Sequence, residues 1–345
     1  MKKYILLFLK TIFPLALGVY LIGYFFKSMS DESIQQFYKA IREANYFWIF
    51  LSLVFGWIAL VSRAQRWKYV LEPLGYETPL KNRYHALLIG YLINLTIPRA
   101  GEASRAAMLY RSDKVPFAKS FGTIVAERAV DLVMLMIIAL FTAYIGGSDF
   151  DKIWDQMIQK FGGKPTTESG FSFKHLLFGG IGLIGLIVAY FYFTNSTFKE
   201  KLNGFIKGLI GGLMSIFRSK NPGGYAFHTL VIWTCYVLMF AVPFFALEAT
   251  SDFPIKGVFI GFIAGSIGIT FTNGGIGVYP LLVGLVISFY LKTDNSADAE
   301  GIGNALGMLM WVSQTIMMII LGLLSLLLLP KNYSKSNDEI SPSSK

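Results

Sequence analysis

The chain is written in long apolar blocks separated by short polar runs, and the length of each block sorts them into two kinds. Six stretches, about 4–26, 46–68, 120–145, 175–194, 226–250 and 303–329, reach the roughly 20 apolar residues that a bilayer-spanning helix needs. The first follows Met-Lys-Lys. It is longer than the apolar core of a signal peptide and lacks an Ala-x-Ala site near its end, so it reads as an uncleaved span kinked at Pro14. Two other stretches break early. Tyr84 to Ile97 is apolar apart from His85 and Asn94 and stops at Pro98. Residues 257–271 stop in Thr272-Asn273-Gly274-Gly275, and a further apolar run, 281–291, follows. Runs this short fit re-entrant helices better than full spans. Backbone groups freed at such breaks must be satisfied by protein or by a water-filled cavity, so both breaks are expected to face the interior.

The pattern predicts an all-α, polytopic membrane protein with about six full spans and two broken re-entrant helix pairs. One transmembrane domain would cover residues 1–330, and 331–345 reads as a polar, disordered tail. Segments 27–45 and 146–174 read as outer loops of mixed charge. Residues 199–220, with Lys199, Lys201 and Lys207 beside Phe198, Leu202 and Phe205, read as an amphipathic stretch on the inner membrane surface.

Composition agrees with a membrane setting. The chain is 54% hydrophobic, only 15% charged and has a mean hydropathy of +0.53. A soluble domain carries about a quarter charged residues. The formal charge of +10 therefore points to cytoplasmic loops and anionic lipid rather than to nucleic acid. With the N-terminus placed in the cytoplasm, 21 of the 31 basic residues fall on the cytoplasmic side and nine on the outer side; Arg128 is left inside a span. That bias predicts a cytoplasmic-membrane protein with both termini inside. It also places the two broken pairs on opposite faces, as an inverted repeat would.

Candidate chemistry gathers at the first break. Gly90, Asn94 and Pro98 share a helix face, where Gly90 permits close approach and Asn94 offers a polar contact. Arg99, Glu102 and Arg105 follow at every third residue. Two guanidinium forks beside helix N-terminal amides make a phosphate seat, so these residues and Asn94 are the candidate lipid headgroup site. The next span carries Glu127, Arg128 and Asp131 within about one turn. Charges there must face inward and be paired, and Arg99 or Arg105 are the expected partners for Glu127 and Asp131. Two readings stand: a structural salt-bridge cluster near the headgroups, or a functional headgroup or ion site. At the second break, Asn273, Gly274, Gly275 and Gly277 form either a hinge or a backbone anion seat; with Pro98 they are the candidate gate. Gly257, Gly261 and Gly265 read as packing positions.

Other chemistry finds no support. The single cysteine, Cys235, excludes a disulfide framework and a cysteine metal site, and three scattered histidines make a zinc site unexpected. Asp149-Phe150-Asp151 matches a metal-binding Asp-x-Asp only by chance in so short a loop. No P-loop and no nucleophile elbow occur. No catalytic residue, metal or cofactor is expected.

The blocks Gly90-x3-Asn94-x3-Pro98-Arg99-x-Gly101-Glu102-x2-Arg105, Glu127-Arg128-x2-Asp131 and Gly274-Gly275-Ile276-Gly277-Val278 resemble the transmembrane family of lysylphosphatidylglycerol synthases, also called flippase-like membrane proteins. The resemblance covers most of residues 5–330. It implies a helical bundle that moves a phosphate-bearing, in some members aminoacylated, lipid across the membrane. Members that also make this lipid carry a cytoplasmic transferase domain, for which these 345 residues leave no stretch. Family members usually have prolines before the glycines of the last block and an acid after them; here Thr272-Asn273 and Tyr279-Pro280 stand there. The expected partner is a membrane phospholipid or other lipid phosphate. The alternatives are a membrane subunit serving a separately encoded lipid-modifying synthase or glycosyltransferase, and a membrane-embedded transferase.

Overall fold

The computed structural model describes residues 29–97, 100–147, 149–160, 173–200, 202–204, 221–291 and 295–330, with isolated positions between 16 and 27. The expected first span, most of the 199–220 stretch and the 331–345 tail lie outside the described residues, as do Pro98 and Arg99. Among the described residues every regular element is helical and no strand occurs. In chain order the helices are α1 (Asp31–Glu43), α2 (Tyr46–Leu71), α3 (Leu80–Thr96), α4 (Gly101–Asp113), α5 (Phe117–Gly146), α6 (Asp149–Lys160), α7 (Phe173–Thr194), α8 (Pro222–Ala241), α9 (Ile255–Phe271), α10 (Val278–Tyr290) and α11 (Ser296–Leu328).

Among the described residues, four helical segments are long and apolar enough to cross a membrane: Tyr46–Leu74, Phe117–Gly146, Pro222–Ala246 and Ser296–Leu328. They match the stretches expected at 46–68, 120–145, 226–250 and 303–329, the third ending at Ala246 and the fourth at Leu328. The stretch 175–194 forms α7, whose 22 residues rise about 33 Å. Two segments read as loops turn out to contain helices. In α1, Ser30 caps the N-terminus, Asp31 and Glu32 occupy its first turn, and buried Phe37 and Ala40 dock it on the start of α11. In α6, two aspartates likewise open the first turn. Both helices are too polar to look like spans and too short to show a long period, which hid them among the loops.

The two broken pairs are antiparallel hairpins. α3 and α4 lie side by side because Gly90 and Gly101 have no side chains to hold them apart; a Cβ on Gly90 would stand 2.7 Å from the Gly101 carbonyl. The Asn94 side chain bridges the break by accepting the Gly101 amide at 2.7 Å, and Asn82 donates to Asp113 at 3.0 Å where the hairpin's ends meet. In the second hairpin Gly257 faces Phe253 and Tyr290, Gly261 faces Phe240, and Gly265 faces Tyr279. These three glycines are therefore packing positions.

The long helix α11 is a spine for both hairpins. Near its start, Gly303 and Asn304 pack on Gly284 of α10; near its end, Gly322 receives Leu88 and Leu92 of α3, and Ser325 meets His85 at 3.0 Å. The chain order α2, α3–α4, α5 places the first hairpin on one face of the bundle; α8, α9–α10, α11 places the second on the other. Their tips meet in the middle, where Leu95 reaches Gly274. Trp311 of α11 fixes that point by donating its indole N–H to the Gly274 carbonyl at 2.7 Å.

Candidate functional site

A charged cluster fills the space between the first hairpin, α2 and α5. Asp131 lies about halfway along the 30 residues of α5, and Glu127 one turn before it. Glu127 is completely buried and sits between two arginines: Arg105 of α4 (Nη1–Oε2 2.8 Å) and Arg66 of α2 (Nε–Oε1 3.5 Å). Asp131 receives Arg66 at 2.8 Å and is also paired with Arg63. Arg63 further donates to the Tyr236 hydroxyl at 3.0 Å, and Arg66 to Thr229 at 3.3 Å and over the Tyr225 ring. At the rim, Arg128 pairs with Glu102 at 3.2 Å and stays within 3.6 Å of Asp131.

Burial makes this cluster costly and therefore informative. Each ion taken out of water loses several kcal/mol of hydration, and mutual attraction recovers it only with good geometry. Arg63, Arg66, Arg105 and Glu127 are all nearly or fully buried. Four arginines face three carboxylates here among the described residues. None of the three Arg105 nitrogens, nor Arg128 Nε, has a hydrogen bond of good geometry, although Arg105 keeps its ion pair and stacks 3.7 Å above the Trp67 ring. Trp67 is held in turn by its indole N–H on Thr123 at 2.9 Å. Both Glu127 oxygens likewise lack a hydrogen bond of good geometry, so what distinguishes the cluster is its excess of cations.

Its open side is a half-open cleft with about 10 Å³ of space for water, lined by Gly90, Tyr91, Asn94, Gly101, Glu102, Arg105 and Arg128, with Leu87. That is about the space of one water molecule. A larger polar group enters only if a lining side chain moves aside.

The expected site residues thus meet in part. Asn94, Glu102, Arg105 and Arg128 line one cavity, with Glu127 directly behind Arg105. Arg105 is the partner of Glu127, as its sequence position suggested, but Asp131 is held by arginines of α2 instead. The cytoplasmic side's count of 21 basic residues includes Arg63 and Arg66, at the end of the 46–68 stretch; they are buried core residues of α2. The signal for them was a spacing of three that puts both on one helix face next to Trp67. Arg83, part of the same count, is buried too, donating to the carbonyls of Ala64 and Thr78 and so tying α2 to α3. Asn273, Gly274, Gly275 and Gly277 lie apart from the cavity at the tip of the second hairpin. Gly274, Gly275 and Gly277 have φ of +62°, +79° and +74°, a left-handed run that side chains resist.

Spans, paired re-entrant hairpins and charges buried in the bundle define an integral multi-pass membrane protein of the broken-helix class. The chain belongs to the family described as the lysylphosphatidylglycerol synthase TM region, which matches residues 11–297. Among curated relatives, a UPF0104 membrane protein of Methanocaldococcus jannaschii is 28% identical over 143 residues, 41% of this chain and 39% of its own length. Glycosyltransferase AglD of Haloferax volcanii is 24% identical over 249 residues, 64% of this chain and 39% of its own. A UPF0104 membrane protein of Methanothermobacter thermautotrophicus is 26% identical over 106 residues, 30% of this chain and 31% of its own. The matches thus span about two fifths or less of these relatives. No solved structure matches the chain.

Proposed function

We propose that the chain is a lipid translocase that moves a phosphate-bearing lipid, in some settings an aminoacylated one, across the cytoplasmic membrane. The observation that carries the proposal is the cleft beside the first hairpin, where a cluster of four arginines and three carboxylates opens on Arg105, Arg128 and Glu102. A lipid phosphate supplies the missing negative charge, and guanidinium forks suit its geometry. The acyl chains stay outside so small a cleft. Arg99, three residues before Glu102 in sequence, is assigned to the same headgroup. Glu127 and Asp131 keep the arginines charged and in place. The two hairpins, meeting tip to tip, form the gate.

In this reading the first hairpin faces the cytoplasm, with both termini on that side. Four of the 21 basic residues assigned there, Arg63, Arg66, Arg83 and Arg105, are buried within the protein, and the remaining 17 still exceed the nine on the outer face. The protein acts on a phospholipid as carrier, with no chemistry of its own.

The test is lipid movement in proteoliposomes, followed with short-tailed fluorescent anionic and aminoacylated phospholipids and an outer-leaflet quencher. Wild-type protein is expected to abolish inner-leaflet protection, and Arg105→Gln and Arg99→Ala, while remaining folded, to slow its loss at low mole fractions of the phosphate-bearing lipid. Equal movement by the variants would remove the arginines from the proposal. A second reading rests on the likeness to a relative named as a glycosyltransferase: the chain is a membrane subunit for a separately encoded lipid-modifying enzyme. Stable co-purification of such an enzyme, with no lipid movement by the chain alone, favours that reading.

A further inference from the structure

The Glu102–Arg128 pair differs from every other ion pair of the cluster. It lies at the cavity rim, with side chains 28% and 41% exposed, whereas Arg66 and Glu127 are wholly buried. It is also the one pair of the cluster in which both residues line the cavity. Glu102 sits in the first turn of α4, where the helix dipole favours an anion whether or not Arg128 is its partner. Arg128 is held from its own helix by Asp131 at 3.6 Å, so it too keeps a counter-charge without Glu102. Its Nε is buried without a hydrogen-bond partner, as are Nε and Nη2 of the neighbouring Arg105, whose Nη1 pairs with Glu127.

The geometry points to Glu102 as a built-in occupant of the anion seat: a carboxylate that an incoming phosphate must displace from Arg128 before it can reach Arg105. The proposal rests on the headgroup reading of the cavity and names its specificity-determining residue. A rim ion pair in contact with solvent contributes little, so breaking it is easy, whereas the buried Arg66–Glu127–Arg105 set has no comparable exit. Displacement spares the cavity from exposing a bare, cation-rich surface and sets a threshold: a ligand must bring a fully ionised oxyanion to compete. A neutral or weakly acidic polar group cannot replace a carboxylate on a guanidinium.

The test is binding to the full chain in detergent, by calorimetry, of dihexanoyl phosphatidylglycerol and, separately, inorganic phosphate. Glu102→Gln removes the competitor without changing its shape and is expected to tighten binding of the phosphate ligand roughly tenfold. Glu102→Asp, whose carboxylate is one methylene too short to hold Arg128, is expected to tighten it too and serves if the first variant unfolds. Arg128→Gln is expected to weaken binding. Tighter binding of the lipid alone assigns a lipid headgroup, and equal tightening for both ligands assigns phosphate as such; either supports displacement. Unchanged or weaker binding by both Glu102 variants overturns it. Lipid movement is read in parallel. Wild-type transport with no effect of Glu102 on binding defeats the displacement alone, whereas tightened binding without any transport defeats the translocase reading alone.

Discussion

The two re-entrant hairpins have the same shape and opposite chemistry. The first, α3–α4, carries Glu102 and Arg105, packs against a buried charge cluster and is closed by an Asn94 side chain. The second, α9–α10, carries no charge beyond Lys256 at its outer end, packs aromatic rings against glycines and turns at its tip through three left-handed glycines. The first is therefore held by electrostatics that tolerate little displacement, because moving one ion strands another in a low-dielectric interior. The second is held by van der Waals contacts and by the indole bond from Trp311 to Gly274, which many arrangements could replace. Under the proposed translocase role, the first hairpin would recognise the lipid and the second would yield.

The comparison is broken most severely at Glu127. Glu127→Ala leaves Arg66 and Arg105 buried against each other and should cost about 3–5 kcal/mol, seen as a large fall in the unfolding midpoint in detergent. Close packing of the first hairpin comes next. Gly101→Ala would drive a methyl into the Gly90 carbonyl and the Asn94 amide, so a loss of roughly 1–3 kcal/mol is expected. The matching change in the second hairpin, Gly274→Ala, meets only the end of the flexible Leu95 side chain but must hold φ at +62°, for about 1–2 kcal/mol. Equal and large losses at both glycines would show that the hairpins are equally rigid.

The smallest effect lies at the outer end of the second hairpin. Asp149 of α6 accepts from the Tyr290 hydroxyl at 2.7 Å and pairs with Lys256 at 2.5 Å. Burial disfavours its charge, but the Lys256 and Tyr290 hydrogen bonds and the Lys256 charge outweigh this and hold its carboxyl below the usual range. A lowered carboxylate contributes stability above its unfolded value, near 4 (about 3.9), and loses it as pH falls through the lower folded value. Asp149→Asn should therefore flatten the acid limb of the unfolding midpoint against pH. Because Lys256 is half exposed, the gain at neutral pH is only about 0.2–1 kcal/mol.

The division between the hairpins was half legible in the sequence. Block lengths and the Pro98 and Gly274–Gly277 breaks gave away both hairpins, because a bilayer imposes a length that apolar runs either meet or miss. Glu102, Arg105, Glu127, Arg128 and Asp131 stood out because charges beside a broken apolar run are costly. Arg63 and Arg66 did not, since basic residues near the end of a span look the same whether they face headgroups or the core. Nor could spacing show that Asp131 belongs to Arg63 and Arg66, more than 60 residues earlier. That pairing depends on how α2 and α5 pack.

The most direct measurement is the initial rate of lipid movement in proteoliposomes against the mole fraction of a phosphate-bearing lipid, for wild-type protein, Arg105→Gln and Gly274→Ala. Recognition in the first hairpin and movement in the second predict that Arg105→Gln raises the half-saturating mole fraction, roughly tenfold or more given the loss of a charge-assisted contact. Gly274→Ala should lower the maximal rate and leave half-saturation unchanged. Saturation of Arg105→Gln at the wild-type mole fraction, or no lipid movement by folded wild-type protein, would contradict the account.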